Sequence, residues 1–240
     1  MNHHIQTITV PYQAKAQGPS YTFPLPVGQI EVWTVPLTTA MPENSFLMLK
    51  QIHSTKLYLA DDLAKQLASS DQRPAGDGIY HTSIPHNTCW VIKTADCMPV
   101  AFIGQHGCAF VHAGRKGLWD NILITPEIKS LAPQFIFIGP HIKKCCYEVD
   151  LAILKEAASF AGQVFYEEIL PEFDGCSPVL GGLPTPKAHL DLTLTAVTQL
   201  AQHYPHAQIL LAEHCTCCDQ HLHSYRRDQN KERNFNLWRF

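Results

Sequence analysis

Three side chains with metal-binding chemistry each close an apolar run: His53 in "LKQIHST", Cys97 in "TADC" and His112 in "FVHAG", fifteen residues beyond the cysteine. Imidazole and thiolate are natural zinc ligands, and three protein ligands leave a fourth position open for water or substrate. Coordination would also hold Cys97 as a thiolate instead of leaving it a buried unpaired group. The spacing alone is only suggestive, and three satisfied polar residues in a core are the plainer reading. Asp96 has two readings: a general acid–base group beside a metal ligand, or a side chain that caps local backbone N–H groups. Asp77 in "GDGIYHT" reads as a turn residue, because Asp-Gly is a strong turn signal.

Two further stretches invite anions or metals. "GRKGL" after His112 reads as a strand-to-helix turn whose free N–H groups, with Arg115 and Lys116, suit an anion; an ordinary glycine turn is the alternative. "EHCTCCDQHLHSYRRDQN" gathers His214, Cys215, Cys217, Cys218, His221 and His223 within ten positions. A structural zinc prefers a C-x2-4-C pair with a second pair farther on, and "CTCC" taken alone does not give that cleanly. Arg226 and Arg227 suit a phosphate, which guanidinium grips as a fork, or form a solvated surface pair.

The elements that must position these groups alternate between strand-like and helix-like patterns. "QIEVWTVPL", "SFLMLKQIH", "TCWVIKT", "MPVAFIG", "CAFVH", "QFIFIG" and "AQILLAEH" read as strands. "ADDLAKQLASS" reads as a short helix with aspartates at its start. "DLAILKEAASFAG" reads as a helix with Asp150 as N-cap and Gly162 as stop, and "LDLTLTAVTQLAQHY" as another. "FDGCSPVLGGLPTPKAH" between them reads as loop. No repeat, low-complexity tract or linker divides the 240 residues. The expectation is therefore one α/β domain over 1–240, with mixed β-sheets and helices packed on the outside. Neither GxGxxG nor GxxxxGK[ST] occurs, so the common nucleotide-cradling loops are absent.

An apolar share of 45% and a charged share of 16% describe a globular chain. A net charge of −3 gives no broad basic field, which argues against bulk binding to nucleic acid or anionic membrane. No apolar stretch of about 18 residues looks transmembrane, and the opening "MNHHIQTITV" is not a secretory signal. A cytoplasmic protein is expected. Nine cysteines at spacings without a disulfide framework then read mostly as buried fillers.

Taken together, "QIHS", "GDGIYHT", "TADCMPV", "FVHAGRKG", "FIGPHIKKCCYEVD", "HLDL" and "CTCCDQHLHSYRRD" resemble the laccase-domain family, in order and separation, from about residue 48 to the C-terminus. Its members are variously assigned as multicopper polyphenol oxidases and as zinc-dependent purine nucleoside phosphorylases. The resemblance implies His53, Cys97 and His112 as ligands of zinc, with copper as a second option. It implies phosphorolysis of adenosine, inosine and methylthioadenosine, with some adenosine deamination. Asp96, Cys97 and His112 would be catalytic, and Arg115, Lys116 and Arg226 would contact nucleoside or phosphate. The partners are then small molecules, with the protein a monomer or homodimer. Residues 1–47 are divergent: the family usually has an Arg and a Gly-Gly pair where this chain reads "WTVPLTTAMPENS". Where the family usually carries an aromatic and then an arginine, this chain has Arg115 and Lys116, and Lys lacks the bidentate fork.

The same core and Cys–His separation resemble the catalytic domain of cytotoxic necrotizing toxins, in which a Cys–His pair performs deamidation. That implies a Cys97 nucleophile activated by His112 without a metal, and a related alternative is amide hydrolysis that edits peptidoglycan precursors. A non-catalytic zinc-binding regulator is a third reading. Polyphenol oxidation fits least: Met98 points to the face opposite Cys97, and only "HLH" supplies a His-x-His pair.

Overall fold

In the computed structural model, which describes residues 5–14, 18–36, 46–70, 72–169 and 186–240, the segment that carries Cys97 and His112 forms the middle of the larger sheet. In chain order the strands are β1 (Ile5–Ile8), β2 (Tyr21–Pro24), β3 (Gln29–Trp33), β4 (Leu47–Met48), β5 (Leu57–Leu59), β6 (Gly78–His81), β7 (Cys89–Thr94), β8 (Met98–Gly104), β9 (Gly107–Ala113), β10 (Pro133–Ile138), β11 (Glu148–Asp150), β12 (Tyr166–Ile169), β13 (Lys187–Leu190), β14 (Gln208–Ala212) and β15 (Asn234–Arg239). The helices are α1 (Ala60–Ser69), α2 (Arg115–Trp119), α3 (Pro126–Ser130), α4 (Leu192–His203) and α5 (Tyr225–Asp228), with 3-10 segments at Ile122–Ile124 and Leu151–Ser159.

Strands β8 and β9 form an antiparallel hairpin in which Pro99 lies opposite His112 and Gly104 opposite Gly107. That register brings the start of β8, just after Cys97, to the same end as His112. On the other side of β9, β6 pairs antiparallel with Gly78 opposite Val111, so the preceding residue, Asp77, arrives beside His112. The seven-stranded order is β1-β14-β10-β8-β9-β6-β5, parallel at its two ends and antiparallel in the middle. A five-stranded sheet, β2-β3-β15-β7-β4, and a three-stranded sheet, β11-β13-β12, complete the frame.

Both faces of the larger sheet are covered, which is why its central strands read as continuous apolar runs. Met98, Val100 and Phe102 of β8 and Ala109, Val111 and Ala113 of β9 face one core, shared with Leu118 and Trp119 of α2 and with Leu192, Ala196 and Leu200 of α4. The alternate residues Ala101, Ile103, Cys108 and Phe110 face a second core against Phe23, Ile30, Trp90, Ile92 and Trp238 of the five-stranded sheet. Trp90 and Trp238 are fully buried and meet edge to face at 5.9 Å. Such contacts contribute about 0.5–1.5 kcal/mol beyond area burial. The result is one α/β domain with mixed sheets, with α2, α3 and α4 packed against one core and the five-stranded sheet, joined by α1, against the other.

Several expectations change. Leu151–Ser159 is 3-10, and Asp150 makes no side-chain cap. Asp150 belongs to the β11–β13 ladder opposite Lys187, while the Asn121 side chain holds Ser159 O and Ala161 N at the far end. A segment tied at both ends reaches farther in 3-10 form, at about 2.0 Å per residue against 1.5 Å in an α-helix. "SFLMLKQIH" keeps only Leu47–Met48 as strand, because the chain turns away to present His53. Asp77-Gly78 is not a hairpin turn. Gly78 starts β6 where a Cβ would lie 2.7 Å from Leu57 Cγ and Val111 Cγ1, so glycine lets three strands close together. Lys187–Leu190, partly assigned to loop, forms β13; residues 173–185 of that loop, and 1–4, 15–17 and 37–45 of the divergent N-terminal part, lie outside the described residues. The described N-terminal residues supply β1 to one sheet and β2 and β3 to another. No helix among the described residues is long and apolar enough to cross a membrane.

Candidate active site

The ligand atoms of His53, Cys97 and His112 lie within 4.8 Å of one another. Cys97 Sγ is 3.9 Å from His53 Nε2, and the two imidazoles meet edge to face with centroids 4.8 Å apart. His112 is buried, Cys97 partly open and His53 exposed, so the triplet has a protein side and an open side. His53 and Asp96 both adopt left-handed backbone, with φ of 60° and 92°. Such conformations cost about 1–3 kcal/mol each and persist where surrounding contacts over-determine them.

Asp77 supplies those contacts for His53. Its fully buried carboxylate accepts the backbone N–H of His53 at 2.9 Å, the N–H of Ser54 at 2.6 Å and the Ser54 hydroxyl at 2.8 Å. It also bonds His112 Nδ1 at 2.9 Å, and its carbonyl accepts the His112 N–H at 2.7 Å. One carboxylate thus fixes the backbone of one imidazole and the ring of the other. With Nδ1 engaged, His112 presents Nε2 to the sulfur, the arrangement in which a carboxylate orients a metal-binding histidine. The turn reading missed that Asp77 holds both His53 and His112 in place. The signal was its "GDG" context, and only the β6–β9 pairing shows that it is buried.

Burial would raise the Asp77 carboxyl, but the His112 hydrogen bond and the Ser54 N–H and hydroxyl outweigh it and bring the pKa to about 2. Burial likewise opposes charge on Cys97, yet His112 and His53 draw its thiol down to about 6. His112, against its own burial, is pushed up to about 9 by Cys97 and Asp77. Without a metal the site therefore favours a thiolate beside an imidazolium.

A zinc ion fits the donor set of two imidazoles and one thiolate. The backbone fits as well. A Cβ on Gly114 would lie 2.9 Å from Cys97 Sγ and 2.9 Å from His53 Cδ2, so glycine keeps the chain clear of the two ligands.

The triplet borders an open cavity of about 640 Å³, also lined by Lys50, Lys93, Asp96, Tyr147, Arg226 and Arg233. Four cations against one carboxylate suit an anionic ligand, and the volume is ordinary for a small-molecule site. Asp96 faces the cavity with each oxygen already accepting one hydrogen bond, from Thr216 Oγ1 and from the Arg226 N–H, both at 2.7 Å. The Arg226 guanidinium bonds Glu148 O at 2.6 Å and lies over the Tyr147 ring at 5.3 Å. Lys50, Lys93, Tyr147 and Arg233 carry no local signal of function in the sequence.

The other expected residues separate. Arg115 lines a neighbouring cavity of about 380 Å³ behind Tyr147 and Arg226, pairs with Glu156 at 3.4 Å and stacks on Trp119. Lys116 pairs with Asp120 at 2.7 Å on the exposed side of α2 and lines neither cavity. Arg227 turns away from the cavity and donates to the carbonyls of Thr216, Cys217, Asp219 and Leu222. His221 stacks on Tyr12 and His223 bonds Thr34 O, so neither joins the triplet. Met98 is buried in the core on the α2 and α4 face of the sheet.

Known proteins similar to this chain carry several functional names. A purine nucleoside phosphorylase from Aquifex aeolicus is 34% identical over 147 residues, 59% of this chain and 61% of that protein, so the match takes in less than two thirds of the relative's length. An adenosine deaminase, RL5, from an unknown prokaryotic organism is 24% identical over 78% of this chain and 71% of its own. The crystal structure of YlmD from Geobacillus stearothermophilus shares the fold with a TM-score of 0.62 at 24% identity, covering 84% of this chain and 76% of that one. The family described as multi-copper polyphenol oxidoreductase laccase matches residues 34–237, and this chain belongs to that family.

Proposed function

We propose that the protein is a zinc-dependent purine nucleoside phosphorylase acting on adenosine, inosine and methylthioadenosine, with adenosine deamination as a secondary activity. The observation that carries this reading is the His53–Cys97–His112 triplet, oriented by Asp77, at the edge of a cavity with four cations. The names of the Aquifex and RL5 relatives support the substrate class. His53, Cys97 and His112 would hold the metal, which when bound supplies Lewis-acid polarisation at its open position. Two imidazoles with one thiolate favour zinc, and copper is the alternative occupant.

In phosphorolysis the sugar–base bond breaks, a phosphate oxygen bonds to the sugar, and the base leaves with the electron pair and takes up a proton. Arg226, with Lys50, Lys93 and Arg233, holds phosphate against the developing positive charge on the sugar. Tyr147 offers an aromatic face for a purine. Asp96 exchanges the proton: its oxygens keep unused lone pairs toward the cavity. Arg115 acts from the adjoining cavity. Lys116 would reach phosphate only by leaving Asp120, which makes it the weakest of the expected contacts.

One observation favours a second reading. Cys97, His112 and Asp77 in line reproduce a nucleophile–base–orienter series, which suits amide hydrolysis by a free thiolate. Metal separates the two. Under the proposal His112→Ala loses the zinc of the His53–Cys97–His112 triplet and base release together, and zinc-loaded wild-type protein resists alkylation at Cys97. Base release by a His112→Ala protein whose triplet holds no metal contradicts the proposal.

A further inference from the structure

We propose that Cys145, Cys146, Cys215 and Cys218 form a second metal site, a closed four-thiolate centre that takes zinc and is structural. The four sulfurs come from two loops about seventy residues apart in sequence, one between β10 and β11 and one after β14, yet all lie within 4.8 Å of one another. Cys145 Sγ is 3.8 Å from Cys215 Sγ and 3.6 Å from Cys218 Sγ, and Cys146 Sγ is 3.3 Å from Cys218 Sγ. A tetrahedron with metal–sulfur bonds of about 2.3 Å has sulfurs about 3.8 Å apart, so the separations approach the edges of such a site. Cys215 and Cys218 stand in the C-x2-C spacing that zinc prefers. All four are free thiols.

The surroundings match a bound thiolate cluster. The Lys143 N–H points at Cys215 Sγ at 3.4 Å, and the N–H groups of Cys217 and Cys218 also aim at that sulfur. Such N–H···S contacts orient and support metal-bound sulfur. Four thiolates around a divalent cation leave two net negative charges, and cations flank them. Lys143 Nζ sits on Ala212 O at 3.0 Å, and the Arg227 guanidinium bonds the Cys217 carbonyl. Cys145 and Cys218 are exposed, which gives a metal access, while Cys215 is buried.

With all four positions filled by protein, the centre has no place for substrate and is distinct from the His53–Cys97–His112 triplet. Its effect on that site is mechanical. It clamps the two loops that already meet at the His141–Cys215 bridge. The later loop carries Thr216, which bonds Asp96, and leads into Arg226.

The test is metal content and sulfur coordination in full-length protein purified with reductant and equilibrated with zinc. Wild-type protein is expected to hold two zinc ions per chain. Cys97→Ser/His112→Ala, which removes the first site, is expected to keep one, with X-ray absorption showing four sulfurs at about 2.3 Å. Cys145→Ser/Cys218→Ser is expected to keep one with mixed nitrogen and sulfur neighbours. If that last variant does not fold, the first two measurements still decide. No more than one zinc in wild-type protein, nitrogen neighbours in Cys97→Ser/His112→Ala, or an intact mass showing disulfides among the four would overturn the proposal.

Discussion

Replacing Asp77 with Asn removes one charge and hardly any volume, and the structure fixes what must follow. One carboxylate oxygen faces the His53 N–H and His112 Nδ1, and the other faces the Ser54 N–H and hydroxyl. An amide has only one accepting oxygen. If its NH2 turns toward Ser54, a buried N–H loses its acceptor and meets another donor. If it turns toward His112, it donates to Nδ1 and moves the ring proton to Nε2, the nitrogen that faces Cys97 and would bind the metal. Changes to such orienting partners cost about 10–100-fold in metal affinity, or about 1.4–2.8 kcal/mol at one decade per 1.4 kcal/mol. The buried unsatisfied group adds about 1–3 kcal/mol of lost stability, roughly 2–12 °C in melting temperature for a chain of this size. A competition titration against a chromogenic chelator, with thermal melts of metal-free and zinc-loaded protein, measures both. Zinc affinity within about twofold of wild type and an unchanged melt would refute the reasoning that Asp77 orients the site.

Three further outcomes follow from the same geometry. Gly114→Ala places a Cβ 2.9 Å from Cys97 Sγ and His53 Cδ2. Zinc affinity is expected to fall about tenfold or more, with the metal-free melt nearly unchanged because φ at Gly114 is an ordinary −77°. Arg226→Ala is expected to raise the KM for phosphate about tenfold or more and Arg226→Lys to recover part of that, since Lys keeps the charge without the fork; steady-state base release against phosphate concentration measures it. Lys116→Ala is expected to leave that KM unchanged and to shift stability by less than about 1 kcal/mol, as for an exposed pair.

What sequence could carry here depended on range. His53, Cys97 and His112 stood out because each ends an apolar run, and strand ends at one sheet edge converge. Strands β8 and β9 and helices α1 and α4 were equally readable, being set by neighbours in the chain. Asp77 was not, because Asp-Gly looks like a turn until the β6–β9 register buries it. Leu151–Ser159 has an α-helical pattern but is held at both ends by partners far away in sequence. Cys145 and Cys146 are invisible as partners of Cys215 and Cys218 until β10 and β14 pair in parallel and bring the loops that follow them together. Arg226 and Arg227 are adjacent in sequence, and only tertiary structure separates the one that faces the cavity from the one that staples a loop.

Under the proposed function, the His53–Cys97–His112 triplet and its cationic cavity transfer a nucleoside's sugar to phosphate. The most direct measurement is chromatography of adenosine and of inosine incubated with zinc-loaded protein, with and without phosphate. Free base and sugar phosphate are expected in equal amounts, only when phosphate is present. Zinc-loaded protein that releases no base from either nucleoside would contradict the proposed function.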